Sequence, residues 1–227
     1  MNRSLSMVAI AVVLFGAAES RAQFFDDFDG DELAPHWQTW WPDPEAWDYQ
    51  VSGGLLTVNS LNLPSSFGSP TNYQYLDTFI SPVFGDFTAI AVMGLTAGSH
   101  RSISMRLSGS QGGGLGEFNY LESGAVVIGP GPTTVLPMAL DPGLHEFKMV
   151  RTGAQISYFI DNALLGTLAN GNVDQGAYWL RLRFEVDHPA GLPMAPIIVD
   201  RVSVVPAPAH ALLVLSALVG CARRRRN

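Results

Sequence analysis

Tyr178-Trp179-Leu180-Arg181-Leu182-Arg183-Phe184-Glu185-Val186-Asp187 is the stretch that decides the fold. Leu180, Leu182, Phe184 and Val186 fall on one side of an extended chain. Trp179, Arg181, Arg183 and Glu185 fall on the other, because side chains alternate along a strand. One face suits a core and the other is turned outward. The same period runs through Arg101–Ser108, where Ile103, Met105 and Leu107 alternate with Ser102, Ser104 and Arg106. It runs again through Ala154–Asp161, where Ile156, Tyr158 and Ile160 alternate with Gln155, Ser157 and Phe159.

Working outward, ten more short runs read as strands: Phe24–Phe28, Trp47–Val51, Leu55–Val58, Tyr73–Ile80, Phe87–Leu95, Leu115–Glu122, Ala125–Ile128, Leu144–Arg151, Ala163–Leu168 and Pro196–Val204. Ser52-Gly53-Gly54, Asp141-Pro142-Gly143 and Asp161-Asn162 are turn signals between them. The middle of the chain holds no sustained helical period. It shows no repeat of fixed length, which argues against a propeller. About a dozen short strands predict an all-β fold, a two-sheet antiparallel jelly-roll sandwich.

The two ends read differently. Arg3, the apolar run Met7 to Ala18, and the small residues Ser20 and Ala22 make residues 1–22 a secretory signal helix. At the other end Pro206 and Pro208 stop the last strand, since proline has no N–H for a ladder. Ala209 to Ala222 is an apolar run of fourteen residues, followed by Arg223, Arg224, Arg225 and Arg226. A full span needs about 20 residues. Terminal arginines extend a shorter segment by snorkelling and favour a cytoplasmic C-terminus. The expected organisation is a signal peptide (1–22), one sandwich domain (23–205) and a hydrophobic helical tail (206–227). The domain is expected to be exported across the inner membrane to the envelope, the surface or the medium.

Residues 23–205 carry seven basic and nineteen acidic side chains, a net of −12 against −7 for the whole chain. Such a domain repels phosphate backbones, which excludes nucleic acid as a partner. The only cysteine, Cys221, lies in the tail, so the domain holds no disulfide and relies on its core.

Three pieces of the chain carry a resemblance. They are Phe25-Asp26-Asp27-Phe28-Asp29-Gly30 with Leu33 and Trp37 behind it; His145–Arg151 followed by Ile156–Asn162; and Ile197–Val202. In that order they resemble the opening strand, the paired central strands and the closing strand of concanavalin A-like lectin/glucanase (laminin G-like) domains. Asn162 stands where that family usually has Gly, and Asn tolerates a positive φ well enough to keep the turn. The tail from Val205 onward resembles a PEP-CTERM sorting signal, with Ala207 where Glu is usual. That resemblance implies processing by an exosortase, with the secretion machinery and the membrane as partners. It also places the chain among bacteria that make extracellular polysaccharide.

Three candidate sites follow. Laminarinase-type hydrolases of this fold carry E-x-D-x-x-E, which Glu117-Phe118-Asn119-Tyr120-Leu121-Glu122 resembles. The resemblance implies Glu117 as nucleophile and Glu122 as acid/base, with carboxyls about 5–5.5 Å apart in a retaining mechanism. Their separation is odd, so a regular strand puts them on opposite faces and a bulge is required. Asn119 replaces the middle Asp that helps set protonation. The plainer alternative, an amphipathic strand with two surface carboxylates, is preferred. The second site is the face of Trp179, Arg181, Arg183 and Glu185, which offers a stacking surface and bidentate donors for a sugar or uronate. Trp40 and Trp41 are further sugar platforms, whereas Trp37 and Trp47 read as core closure. A solvated face with local Arg–Glu pairs remains open. The third is calcium, for which the resemblance pairs Asp27 of the opening strand with Asp200 of the closing one; no other cofactor is suggested.

Three functions follow from these sites. The preferred one is non-catalytic association with carbohydrate or extracellular matrix. The others are a retaining glycoside hydrolase using Glu117 and Glu122, and a purely structural surface protein. Either ligand-binding reading requires Glu117, Glu122 and Trp179 to line one groove.

Overall fold

The structure, a computed structural model, describes residues 24–40, 47–60, 72–78, 85–95, 101–109, 114–121, 125–129, 134–169, 178–186 and 196–207. The predicted signal helix and the apolar run of the predicted tail, Ala209 to Ala222, lie outside these, whereas Pro206, the first residue of that tail, still belongs to the last strand. Among the described residues no helix is long and apolar enough to cross a membrane. The strands in chain order are β1 (Phe24–Asp26), β2 (Trp37–Trp40), β3 (Trp47–Ser52), β4 (Leu55–Ser60), β5 (Asn72–Thr78), β6 (Phe87–Leu95), β7 (Arg101–Gly109) and β8 (Gly114–Leu121). They continue with β9 (Ala125–Gly129), β10 (Thr134–Ala139), β11 (Gly143–Thr152), β12 (Gln155–Ile160), β13 (Ala163–Ala169), β14 (Tyr178–Val186) and β15 (Ile197–Pro206).

They build two antiparallel sheets. One has eight strands in the order β13-β12-β11-β6-β15-β4-β3, with β1 also on β15; the other has seven, β10-β9-β8-β7-β14-β5-β2. β15 pairs β6 along one side and, on the other, β4 through Ile197–Val199 and β1 through Val202–Val204. The last strand of the domain therefore joins its beginning to its middle.

The period of two in the sequence is the period of burial. Leu180, Leu182 and Phe184 of β14 and Ile103, Met105 and Leu107 of β7 are all buried. They face Phe147, Met149, Ile156 and Val202 from the other sheet, also buried. Each such side chain contributes about 1.5–3 kcal/mol on leaving water. Phe118 packs edge-on against Phe147 at 5.5 Å and Tyr158 at 5.0 Å, which locks the layers together. The Tyr158 hydroxyl crosses the core from β12 and donates to the Gly129 carbonyl of β9. Burial pushes its pKa well above the usual tyrosine value. Gly116 leaves room for it: a Cβ there would stand 3.1 Å from Tyr158 Oη and 2.8 Å from Ile156 Cδ1.

The anticipated turns are present. Asp161 (φ 48°) and Asn162 (φ 66°) are both left-handed between the partners Ile160 and Ala163, as a two-residue type I′ hairpin demands. The Asp161 carboxylate accepts from the Glu146 N–H at 2.9 Å and meets His145 Nδ1 at 2.8 Å, while His145 Nε2 lies 2.9 Å from the Asp141 carbonyl. Partial burial alone would lower the His145 pKa. Acceptors on both ring nitrogens outweigh that and hold it above its ordinary value, since both must receive a proton.

The opening motif is organised by Asp26. Its Oδ1 accepts from the Phe28 N–H at 2.9 Å, and its Oδ2 accepts from Trp37 Nε1 at 2.5 Å and meets His36 Nε2 at 3.2 Å. This supports Phe28 at φ 53°, with its buried ring stacked on Trp37 at 5.9 Å. Trp37 therefore closes the core, as expected. Two strands, β2 and β10, are absent from the sequence reading. β2 is only four residues long, and β10 contains Pro137, which argues against a strand. Both are edges of their sheet, where a missing N–H costs no ladder bond, and the β9–β10 register shifts between Leu136 and Ala139.

Candidate functional site: the outer face of the seven-stranded sheet

β14 lies at the centre of the seven-stranded sheet, between β7 and β5. Two cross-strand rows follow from its register. Cα partners in the first run Gln38, Asp77, Arg181, Arg106, Glu117 and Gly129. Those in the second run Trp40, Tyr75, Arg183, Ser104, Asn119 and Val127. The rows are about 6.6 Å apart along the strands, two residues of extended rise. Trp179 stands one further step along, opposite Ser108.

Trp179, Arg181, Arg183, Arg106, Glu117 and Asn119 are half-buried on this outer face, while their neighbours in sequence fill the core. The serines of β7 are buried as well, Ser104 to 1% exposure, although alternation alone predicts an open position. Ser104 lies between Arg183 of β14 and Asn119 of β8, and Ser108 lies opposite Trp179. Arg106 Nε is 4.0 Å from Glu117 Oε2, with the side chains 26% and 29% exposed. That is a loose ion pair, worth about 0–1 kcal/mol. Arg106 Nε and Asn119 Oδ1 are buried without a hydrogen-bond partner among the described residues.

The face brings together Glu117, Trp179, Arg181 and Arg183, and so two of the three residues that a shared groove requires, Glu117 and Trp179; the third, Glu122, lies outside the described residues. It adds Arg106, which the sequence showed as outward but could not place beside Arg181. Glu185 and Trp40 belong to β14 and β2, but their side chains lie outside what the structure describes, and Glu122 and Trp41 lie wholly outside the described residues. The bulge required between Glu117 and Glu122 does not occur as far as Leu121. The β7–β8 ladder stays in register from Gly116 to Leu121, leaving no unpaired residue, and its one shift falls before Glu117. Tyr120 points into the core, and Leu121 holds the next outward position.

The proposed calcium pair lies at the other sheet. Asp200 is the extra residue of a bulge, since Val199 pairs Met93 and Arg201 pairs Val92. Asp27 follows Asp26, the register partner of Val202. Among the described residues no group of three or more His, Cys, Asp or Glu is placed to hold a metal ion. Calcium takes six to eight oxygens, so the two carboxylates supply only part of a shell.

No family model and no curated protein matches the sequence. Solved structures do match. An endo-β-1,3-glucanase from Pyrococcus furiosus is 16% identical, with a TM-score of 0.61 over 82% of this chain and 94% of that one. A laminarinase from Flavobacterium sp. UMI-01 is 15% identical, with a TM-score of 0.62 over 82% of this chain and 100% of that one. An immunostimulatory antigen and pseudo β-1,3-glucanase of Mycobacterium tuberculosis is 14% identical, with a TM-score of 0.62 over 82% and 99%. At these identities the likeness speaks for the fold, which is the concanavalin A-like lectin/glucanase jelly roll.

Proposed function

We propose that the outer face of the seven-stranded sheet binds a polysaccharide. The observation that carries this is the gathering of Trp179, Arg181, Arg183, Arg106, Asn119 and Glu117 from three adjacent strands onto one face. An aromatic plate beside fixed polar donors is what a sugar ring and its hydroxyls require. Affinity electrophoresis of the full chain through gels cast with β-glucans and other polysaccharides tests this. Retardation should be lost in Trp179→Ala at unchanged melting temperature. Retardation that survives Trp179→Ala removes this face from the reading.

A second reading is hydrolysis of the bound polymer, with Glu117 as nucleophile and Glu122 as acid/base. The comparisons favour it over simple binding, because the similar structures include a β-1,3-glucanase and a laminarinase. Strand geometry favours binding: Asn119 replaces a carboxylate, and Leu121 takes the outward place beyond it. Release of reducing ends from laminarin that disappears in Glu117→Gln selects hydrolysis; no release from the wild-type chain selects binding.

The sequence ends support export of this domain and sorting of its tail by an exosortase at the envelope. The mass of the protein recovered from cells tests that: a chain retaining both residues 1–22 and 206–227 rules it out. Calcium at Asp27 and Asp200 is kept as a proposal, supported by the pairing of β1 with β15 beside the Asp200 bulge.

A further inference from the structure

We infer that β13 is a self-association edge, where a second copy of this chain adds its own β13 antiparallel and joins two eight-stranded sheets into one. β13 ends its sheet and, among the described residues, pairs only β12. A strand at an edge keeps a row of N–H and C=O groups turned outward, and proteins blunt such rows with charge, proline or shortness. The other three sheet ends are blunted: β3 carries the exposed Asp48, β10 carries Pro137, and β2 has four residues. β13 has seven, Ala163-Leu164-Leu165-Gly166-Thr167-Leu168-Ala169, with no charge and no proline. Leu164 is 60% exposed, more than any other large apolar side chain among the described residues.

The residues of β13 fit a second copy of themselves. Leu164 and Thr167 lie on the outer side with their partners Phe159 and Ser157, whereas Ala163, Gly166 and Leu168 share the inner side with the buried Ile160, Tyr158 and Ile156. Leu165 is the extra residue of a bulge, between the pairs Tyr158–Gly166 and Phe159–Leu164. Antiparallel self-pairing centred between Leu165 and Gly166 sets Leu164 opposite Thr167 of the second copy, outer side to outer side. It sets Ala163 opposite Leu168, inner side to inner side, and the bulged Leu165 opposite Gly166, which has no side chain to obstruct it. A slip of one residue sends outward side chains against inward ones. Residues 163–168 of each copy therefore pair about a two-fold axis, the isologous contact of a symmetric dimer.

Charge favours the same contact. Residues 23–205 carry a net charge of −12, so two copies repel over most of their surface. β12 and β13, Gln155–Ile160 and Ala163–Ala169, contain no charged residue, so the joint brings no like charges together. Asp161, in the hairpin between them, is held by His145 at 2.8 Å. Lys148, beside Phe159 on the outer side, lies 5.0 Å from that ring's centre and donates to Asn162 Oδ1 at 2.5 Å. A single strand pairing is smaller than the interface of about 1,200–2,000 Å² typical of stable complexes, so the dimer parts on dilution. A two-fold axis normal to the joined sheet keeps both seven-stranded sheets on one side of it. The two outer faces proposed to bind polysaccharide then point the same way, and a polymer that meets both gains avidity without a new contact.

Sedimentation velocity of the full chain over a series of concentrations tests this, in a mild detergent that occupies the apolar run Ala209 to Ala222. The mass should climb to that of two chains as concentration rises. Leu164→Lys combined with Thr167→Lys sets lysine opposite lysine at two places across the joint and should weaken the dimer at least about ten-fold. Leu164→Lys combined with Thr167→Glu sets opposite charges at the same two places and should bring the dimer back to within about two-fold of the wild type. If a variant fails to fold, hydrogen exchange on the wild-type chain decides alone: the β13 amides that do not pair with β12 should gain protection only as the dimer forms. A wild-type chain that stays monomeric, or a dimer that the two lysines leave unchanged, overturns the proposal. Protection of those amides at every concentration overturns it too, because a segment of the same chain then covers the edge. The polysaccharide face lies on the other sheet, so its reading stands or falls separately.

Discussion

Replacing Tyr158 by phenylalanine removes one oxygen from the centre of the sandwich. The hydroxyl is the bridge by which β12 of one sheet reaches the β9 backbone of the other. Without it the buried Gly129 carbonyl loses that donor, a loss of about 1–3 kcal/mol. For a domain of this size each kcal/mol lowers the melting temperature by roughly 2–4 °C, so a fall of about 4–8 °C is expected for the middle of that range. Gly116→Ala probes the same point from the opposite sheet. Its Cβ would press on Ile156 Cδ1 at 2.8 Å and Tyr158 Oη at 3.1 Å, an overpacking worth about 1–3 kcal/mol. Because the phenylalanine ring has no hydroxyl to press on, the double variant should lose less than the two single losses added, by about 0.5–1 kcal/mol. Thermal melts followed by circular dichroism on the four proteins supply the cycle. An alkaline arm checks it independently. Tyr158 is buried with a raised pKa, so folding keeps its proton while the unfolded chain gives it up near 10.0. Its contribution is whole below that value and is lost as pH rises further, and Tyr158→Phe should flatten that loss. A Tyr158→Phe variant melting within about 1 °C of the wild type would refute the bridge between the sheets.

The His145–Asp161 pair makes stability pH-dependent with a definite sign. His145 is raised above 6.5, so its contribution is complete below that value and disappears as pH climbs through the folded value. Asp161 is lowered below 3.8: partial burial opposes this, but acceptance from His145 and from the Glu146 N–H outweighs it, so its contribution is present above 3.8 and disappears as pH falls through the folded value. Melting curves against pH should fall on the alkaline side from about 6.5, and His145→Gln should remove that slope; an unchanged slope assigns it elsewhere. If calcium binds at Asp27 and Asp200, saturation at about 100 times its dissociation constant adds about 2.7 kcal/mol, and the melting temperature should rise with calcium and drop with chelator. An unchanged melting temperature in Asp27→Asn and in chelator, relative to calcium-loaded wild type, removes the metal.

The sequence by itself determined which residues face the core. Alternation in Tyr178–Asp187 separated Leu180, Leu182 and Phe184 from Trp179, Arg181 and Arg183, and burial follows that division. It also placed a turn at Asp161-Asn162, because φ preferences are local to a residue; the structure makes it type I′. β2 and β10 escaped it, being edge strands that a short run and a proline disguise. Only the tertiary structure decided which strands are neighbours. β7 and β14 are far apart along the chain, and no local pattern says that Arg106 and Arg181 stand opposite each other. Nor could alternation show that the β8 ladder runs unbroken to Leu121, which places an apolar residue where a second outward carboxylate would serve hydrolysis. The physical reason is the same in both cases. A side chain's face is set by its own backbone within two residues, whereas its neighbours on that face are set by ladder register between segments that meet only when the sheet closes.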